Sequence, residues 1–404
     1  MVSRPVPFSP PDISDADIEA VVEVLRSGWI TTGPQCAAFE EELSAFCGTA
    51  RTVVLSSATA ALELTLRALG VGPGDEVITS AYTYTASASV IDHVGARIVL
   101  VDTLDGSYTM DAEAVASAMT PRTKAVIAVD LAGVMYDHGL LRDIAGQKAG
   151  EFRPSSPLQE ELGRVAVIAD AAHSVGATSA DGRSGTVADF TCFSFHAVKN
   201  LTTAEGGAVT WRPDLPVEHE ALYRRIRRNA LHGQTKDALA KTTPGAWEYD
   251  IAETGYKANM TDIQAALGRR QLARYPEMMD RRHEVARIYG EVLQDVAQPP
   301  VLSGEGWRSS AHLYMLRVPS ASEEQRNRMI SDLASQGIST NVHYKPLPLF
   351  TAYRNLGFRI EDFPRALDAF QKEITLPLYS TLADEDASRV AESASAWLRK
   401  EGLA

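Results

Sequence analysis

Cysteine is scarce in this chain: three among 404 residues (Cys36, Cys47 and Cys192), with no Cys-x-x-Cys pair. An odd and small number excludes a disulfide framework and favours reduced thiols. The nine histidines include no His-Glu-x-x-His, so no metal centre is expected. There is no Gly-Lys dipeptide, which excludes a Walker A loop. No stretch reaches the ~18 consecutive apolar residues of a membrane span, and the first twelve residues lack the apolar core of a secretory signal. Positive charge is in deficit: 39 Lys+Arg against 52 Asp+Glu leave a net charge of −13. That balance argues against a sequence-independent grip on nucleic acid, which needs dense Lys and Arg. The expectation is a soluble, cytoplasmic protein with neither nucleic acid nor membrane as a partner.

What is present is ordinary core-forming material, 45% hydrophobic and 23% charged. The length suggests two domains, since single cores stop growing near roughly 250–300 residues. Ser14 caps a first helix in which Ile18, Val21, Val22 and Leu25 repeat before Gly28. A second starts near Thr59, with Leu62, Thr65, Leu66 and Leu69 on one face and Gly70 beyond its end. Apolar runs at 76–79, 97–102, 125–130, 165–170 and 190–195 alternate with helical patterns and read as a mostly parallel sheet covered on both faces. The polar stretch 146–163 reads as a surface insertion. Helical periodicity runs from Asn259 to about Leu293. Strand-like 312–318 and 338–343 then mix with helical 323–335 and 384–400. The fold class is therefore α/β: a large, doubly wound domain over residues 1–270 and a smaller α+β domain over 271–404. Gly70-Val-Gly-Pro-Gly74 follows a helix and precedes a strand, the reverse of a dinucleotide fingerprint, and reads as a tight connection.

Four local features carry chemistry, each with an ordinary alternative. Ser56-Ser-Ala-Thr59 opens the second helix. It is a cap, or a place where free N–H groups and the helix dipole hold a phosphate. Asp170 ends the apolar run 165–169, where ligands of open α/β sheets gather; otherwise it is a solvated loop acid. Lys199 closes Phe193-Ser-Phe-His-Ala-Val-Lys199. It is a surface lysine, or a partly desolvated amine with a lowered pKa that forms Schiff bases. Tyr82-Thr-Tyr84 follows a strand and either packs on the rim or lies flat against a planar ligand. A phosphate cradle, a stacking ring, a strand-end carboxylate and a lysine together describe what pyridoxal 5'-phosphate (PLP) requires.

At these residues the sequence resembles the DegT-type, PLP-dependent sugar-nucleotide aminotransferases, and within them the sugar 4-aminotransferases. The resemblance runs from Ser27-Gly-Trp-Ile-Thr-Thr-Gly-Pro34 to Leu376-Pro-Leu-Tyr379. Its most specific stretches are Ser56–Ala60, Asp170-Ala-Ala-His173, Phe193–Gly207 and Gly255-Tyr-Lys-Ala-Asn-Met-Thr-Asp262. It implies the aspartate aminotransferase fold (fold type I), with PLP passing through pyridoxamine phosphate. It also implies homodimers with active sites shared at the interface. By position, the resemblance makes Lys199 the Schiff-base lysine and Asp170 the partner of the pyridine nitrogen. Tyr84 would stack on the ring, and His173 would lie near the ring oxygen. The Ala58 and Thr59 amides and the Ser194 hydroxyl would hold the phosphate. Lys257 and Asn259 lie on the loop that reaches the neighbouring subunit's phosphate; many relatives read Gly-Tyr-Asn-x-Arg-Met there. Substrate contacts are implied for Thr31, His343 and Tyr344, although Leu347-Pro348 stands where relatives often read Leu-His.

The implied reaction is transamination of a nucleoside-diphosphate 4-keto sugar by L-glutamate, which leaves 2-oxoglutarate. The run Val198–Gly207 resembles the 4-aminotransferases more than the 3-aminotransferases and favours a dTDP-4-keto-6-deoxyhexose. The Ser27–Pro34 and Gly255–Asn259 runs also resemble enzymes acting on a UDP-4-keto-pentose. Relatives that dehydrate sugars at C3 carry histidine in the lysine's place, so Lys199 argues against them. A non-catalytic PLP-binding regulatory protein is the alternative from a different class.

Overall fold

A computed structural model of the chain describes residues 4–236 and 248–404. Its centre is a seven-stranded sheet in the order Arg51–Leu55, Gly207–Trp211, Phe190–Ser194, Ala166–Asp170, Thr123–Val129, Glu76–Ser80, Arg97–Val101. The last five run parallel, and the first two are antiparallel additions at one edge. Neighbouring residues on each strand point to opposite faces. Val77, Ile127 and Ile168 therefore enter one apolar cluster, and Ile78, Val126 and Val167 enter the other. Helix Ala58–Ala68 packs Leu62 and Leu66 on the first face. Burial on both faces is why these strands read as uninterrupted apolar runs.

Four expectations needed correction. A helix at Pro34–Cys47 was not foreseen, although Pro34 opens it and Gly48, at φ +77°, closes it. It buries Cys36, Phe39, Leu43 and Cys47, one stripe of a 3.6-residue period. The stretch 146–163 is no mere insertion. Helix Pro157–Leu162 buries Leu158 and Leu162, and Gln159 Nε2 and Ser156 Oγ both donate to Leu69 O, at 2.9 and 2.6 Å. That satisfies a carbonyl at the end of helix Ala58–Ala68. Residues 338–343 form no strand; they make single bridges, Ile338 with Val6 and Asn341 with Thr375. Finally, helix Asp15–Ser27 buries only part of its apolar stripe: Val21 and Val22 are half-buried, and Ile18 and Leu25 are 53% and 54% exposed. It fully buries Val24 and Asp17, and Asp17 accepts from Ser14 N, Gln271 Nε2 and Arg274 Nη2.

Helix Asp262–Leu293 starts with a capping box between Thr261 and Gln264 and leads into the C-terminal part. There an antiparallel pair, Tyr314–Arg317 and Glu373–Leu376, packs with helices Glu323–Ser335 and Asp384–Lys400. Tyr289, Leu316, Leu333, Ile374, Val390 and Val6 share its apolar cluster. All three cysteines are free and buried, and burial pushes their thiols far from ionisation. Among the described residues no helix is long and apolar enough to cross a membrane.

Candidate active site

The carboxyl ends of the parallel strands open onto a cavity of about 440 Å³. Strand geometry brings the chemistry here: Asp170 is the last residue of Ala166–Asp170, and Ser194 is the last of Phe190–Ser194. Strand Arg51–Leu55 delivers Ser57, Ala58 and Thr59 to the same mouth at the start of helix Ala58–Ala68. Ser57 Oγ accepts from Ala60 N at 3.0 Å. The Ala58 and Thr59 N–H groups remain as orphan donors of the first turn, pointed along a favourable helix dipole. Gly207 keeps this turn accessible. A Cβ there would stand 2.3 Å from Ser57 C and 2.4 Å from Ala58 N.

Asp170 is buried, and its two hydrogen bonds come from neutral donors, Ser87 Oγ at 2.6 Å and Ala172 N at 3.3 Å. Burial raises its pKa, against the pull of Ser87, Ala172 and the Lys199 charge. Lys199 lines the same cavity. Desolvation brings its amine down to about 8, opposed by Asp170. An amine with that pKa keeps an appreciable neutral fraction near physiological pH, far above that of a free lysine, and that fraction is competent as a nucleophile and a base.

The opposite wall is imidazole and phenol. Ala132 N–H donates to His173 Nδ1 at 3.2 Å. The His173 proton therefore sits on Nε2, which lies 3.1 Å from Tyr344 Oη. His312 packs against His173 with ring centroids 4.3 Å apart and holds Asn200 Oδ1 at 2.9 Å. Burial lowers both histidines, His312 and His173, well below the ordinary imidazole range. Tyr84 is 60% exposed and faces the Tyr344 ring at 5.9 Å, leaving its face free to receive a planar ligand. Phe8 stacks on His343 at 5.6 Å and 19°.

Of the residues singled out from sequence, Ala58, Thr59, Tyr84, Asp170, His173, Ser194, Lys199, His343 and Tyr344 all line the cavity. Thr31, Lys257 and Asn259 do not. Asn259 Nδ2 donates to Thr32 Oγ1 at 2.6 Å, Lys257 Nζ donates to Asn259 Oδ1 at 2.5 Å, and Thr31 O accepts from Asp262 N. Of this group, Asn259 and Thr32 border a separate cavity of about 280 Å³ together with Arg224, Arg227 and Arg228. Those arginines are not an unbalanced cluster: Arg228 pairs with Glu253 at 2.7 Å, and Arg224 lies 3.7 Å from Glu220. Sequence reasoning missed Ser87, His312 and Phe8. Ser87 carries no local signal, and His312 sat in a run read only as a strand.

The arrangement fits PLP on the observations above. A cleared helix start suits its phosphate, a buried carboxylate served only by neutral donors suits its ring nitrogen, and a low-pKa lysine suits its aldehyde. The sequence profile of the DegT/DnrJ/EryC1/StrS aminotransferase family matches residues 11–395. The spore coat polysaccharide biosynthesis protein SpsC of Bacillus subtilis is 38% identical over 394 residues, 96% of each chain. Spr1654 of Streptococcus pneumoniae, described as a sugar aminotransferase, superposes in its PMP form with a TM-score of 0.95 at 49% identity. That match covers 98% of this chain and 99% of that one. Its PLP form gives the same TM-score and coverage at 47% identity. A desolvated lysine, a buried strand-end carboxylate and a full-length match converge, and the chain belongs to the DegT/DnrJ/EryC1/StrS family as a PLP-dependent sugar aminotransferase of fold type I.

Proposed function

We propose that the enzyme moves an amino group from L-glutamate to C4 of a keto sugar carried on a nucleoside diphosphate, with dTDP-4-keto-6-deoxyhexose as the favoured acceptor. The observation that carries this reading is the desolvated Lys199 amine facing buried Asp170 in one enclosed cavity. PLP supplies the electron sink that makes the carbon next to the donor's nitrogen acidic. Lys199 Nζ takes the proton from glutamate Cα and, in the second half-reaction, delivers one to the sugar's C4. Asp170 holds positive charge at its end of the cavity, and Ser87 fixes its orientation. The Ala58 and Thr59 amides and Ser194 Oγ bind the phosphate, and Tyr84 supplies a stacking face. His173 stays neutral and donates from Nε2. The keto-sugar end falls to His343 and Tyr344.

Thr31, Lys257 and Asn259 act from the neighbouring subunit of a homodimer with shared sites. Support for this comes from their position outside the protomer's own cavity and from the exposed Ile18 and Leu25 stripe. Preference for C4 rests on the run Val198–Gly207. The contact of Asn259 with Thr32 joins the two sequence runs that point to a UDP-4-keto-pentose, which makes that sugar the second candidate. A glutamate-driven screen of dTDP- and UDP-linked 3-keto and 4-keto sugars, with the new amine located by NMR, tests the proposal. Amination at C4 of the dTDP sugar is expected. Exclusive amination at C3 would overturn the positional assignment, and exclusive use of UDP-pentose would overturn the favoured acceptor.

A further inference from the structure

Beside the cavity, a fully buried carboxylate is wired to a cavity histidine through a single hydroxyl. Glu373 is 0% exposed. Its Oε2 accepts from His343 N at 2.9 Å, and its Oε1 is hydrogen-bonded to Thr375 Oγ1. Thr375 Oγ1 in turn lies 2.9 Å from His343 Nδ1. His343 Nε2 has no protein partner among the described residues, and the ring lines the cavity that holds Lys199. Neither Glu373 nor Thr375 lines that cavity, so their hydrogen bonds reach it through His343.

A hydroxyl has one proton, and this fixes the direction of the whole chain. When Glu373 is ionised, Thr375 must donate to it, so Thr375 Oγ1 accepts from His343 Nδ1–H. His343 Nε2 is then bare and can only accept. When Glu373 is protonated, the proton must sit on Oε1, because Oε2 is already accepting from the His343 backbone N–H. Glu373 then donates to Thr375, Thr375 donates to His343 Nδ1, and the imidazole proton moves to Nε2. We propose that Glu373 is a positioning residue whose protonation sets, through Thr375, which nitrogen of His343 carries its proton, and so whether His343 donates or accepts towards the bound sugar. No atom is gained or lost in the switch beyond the one proton taken from solvent by Glu373.

The surroundings put the switch in a useful range. Desolvation raises Glu373 to about 8, against Thr375, the His343 N–H and the Arg326 charge. Tyr82 and Tyr108 also face it, and both are kept neutral by burial. Tyr82 Oη donates to His343 O at 2.8 Å and holds the backbone of the relay in place. Around the His343 ring, burial, helped by the Lys199 charge, holds the imidazole at about 3, while His173, His312 and Tyr344 are neutral neighbours. His343 therefore does not charge in the working range; it only changes tautomer. A carbonyl oxygen needs a donor, so the protonated state of Glu373 is the one suited to a keto sugar. The kinetic consequence rests on the proposed contact of His343 with the sugar, whereas the tautomer switch does not.

The test is nitrogen NMR of holoenzyme labelled with ¹⁵N-histidine, with the His343 signals assigned by their loss in His343→Gln. Carried upward through about pH 8, wild type is expected to pass from the Nε2–H to the Nδ1–H tautomer. In Glu373→Gln the amide donates to Thr375 permanently, so His343 should stay Nε2–H at every pH. In Thr375→Val, which leaves the backbone pairing with Asn341 intact, the tautomer should stop responding to pH. With keto sugar, wild type should lose about threefold to tenfold in kcat/KM above the transition, the scale of one hydrogen bond, and Glu373→Gln should not. A single His343 tautomer across the transition in wild type, or a pH response retained in Thr375→Val, overturns the relay. A tautomer switch without the kinetic difference overturns only the sugar contact.

Discussion

Two polar regions of this enzyme look alike in composition and differ in completeness. Around Asp170 and Lys199, the carboxylate and two imidazoles find their partners within one chain: Ser87 serves the carboxylate, Ala132 and Tyr344 serve His173, and Asn200 serves His312. Around Lys257 and Asn259, the side chains bond mainly to each other and to Thr32, on an open surface. The first region has its geometry set by folding alone. The second rests its donors on neighbouring groups at the rim of the fold. An ammonium on a flexible stem, resting on an amide, is what a protein keeps ready for an anion that arrives from outside.

The sharpest break in that comparison is Lys199→Ala. Loss of both nucleophile and base should remove more than about 10⁴-fold of turnover, read as single-turnover amine transfer from glutamate. The variant should fold as wild type does, because a desolvated amine contributes no ion pair to the native state. Substantial residual turnover would remove Lys199 from the chemistry. Asp170→Asn comes next. A carboxylate about 4 Å from a cationic ring at an effective dielectric of ~20 is worth about 4 kcal/mol, so the loss should approach ~10³-fold. A loss under tenfold would mean that the ring's charge is held elsewhere.

The inner region was largely legible in the sequence, and its legibility has a physical source. Strands buried on both faces must be apolar throughout, so 166–170 and 190–194 stand out, and the residues at their ends are placed by topology before any contact is known. Strands Arg51–Leu55 and Gly207–Trp211, joined antiparallel on one side of the sheet, went unread. The stretch 338–343 alternates like a strand but finds only single bridges, since tertiary context decides pairing. Ser87 and Asp170 are 83 residues apart, and no local rule connects them. The same holds for Glu373, which lies 30 residues from His343. The outer residues were legible only by resemblance, and the fold places them outside the protomer's own cavity.

Gly207→Ala probes the inner region without touching a functional group. Its Cβ would meet Ser57 C and Ala58 N at 2.3 and 2.4 Å, both backbone atoms that cannot step aside. The helix start must shift, and PLP affinity should fall more than about tenfold, because a phosphate site is built from the placement of its N–H groups. Equilibrium dialysis of PLP measures this. Unchanged affinity would place the phosphate elsewhere.

Lys257→Ala should have the mildest effect, a threefold to tenfold weaker hold on PLP, since an exposed ammonium is screened by water and salt. Its value lies in whose site it weakens. Mixed with Lys199→Ala at limiting PLP, the two variants of the proposed dimer should form heterodimers in which one lysine-bearing cavity faces an intact Lys257 only if the residue serves the neighbour. Activity should then recover to about a quarter of wild type, because half the dimers are mixed and each holds one good site. If Lys257 serves its own protomer, every Lys199-bearing cavity lacks it and mixing restores nothing. The inner and outer regions would then be two parts of one chain's site, and the exposed stripe on helix Asp15–Ser27 would need another reason to face outward.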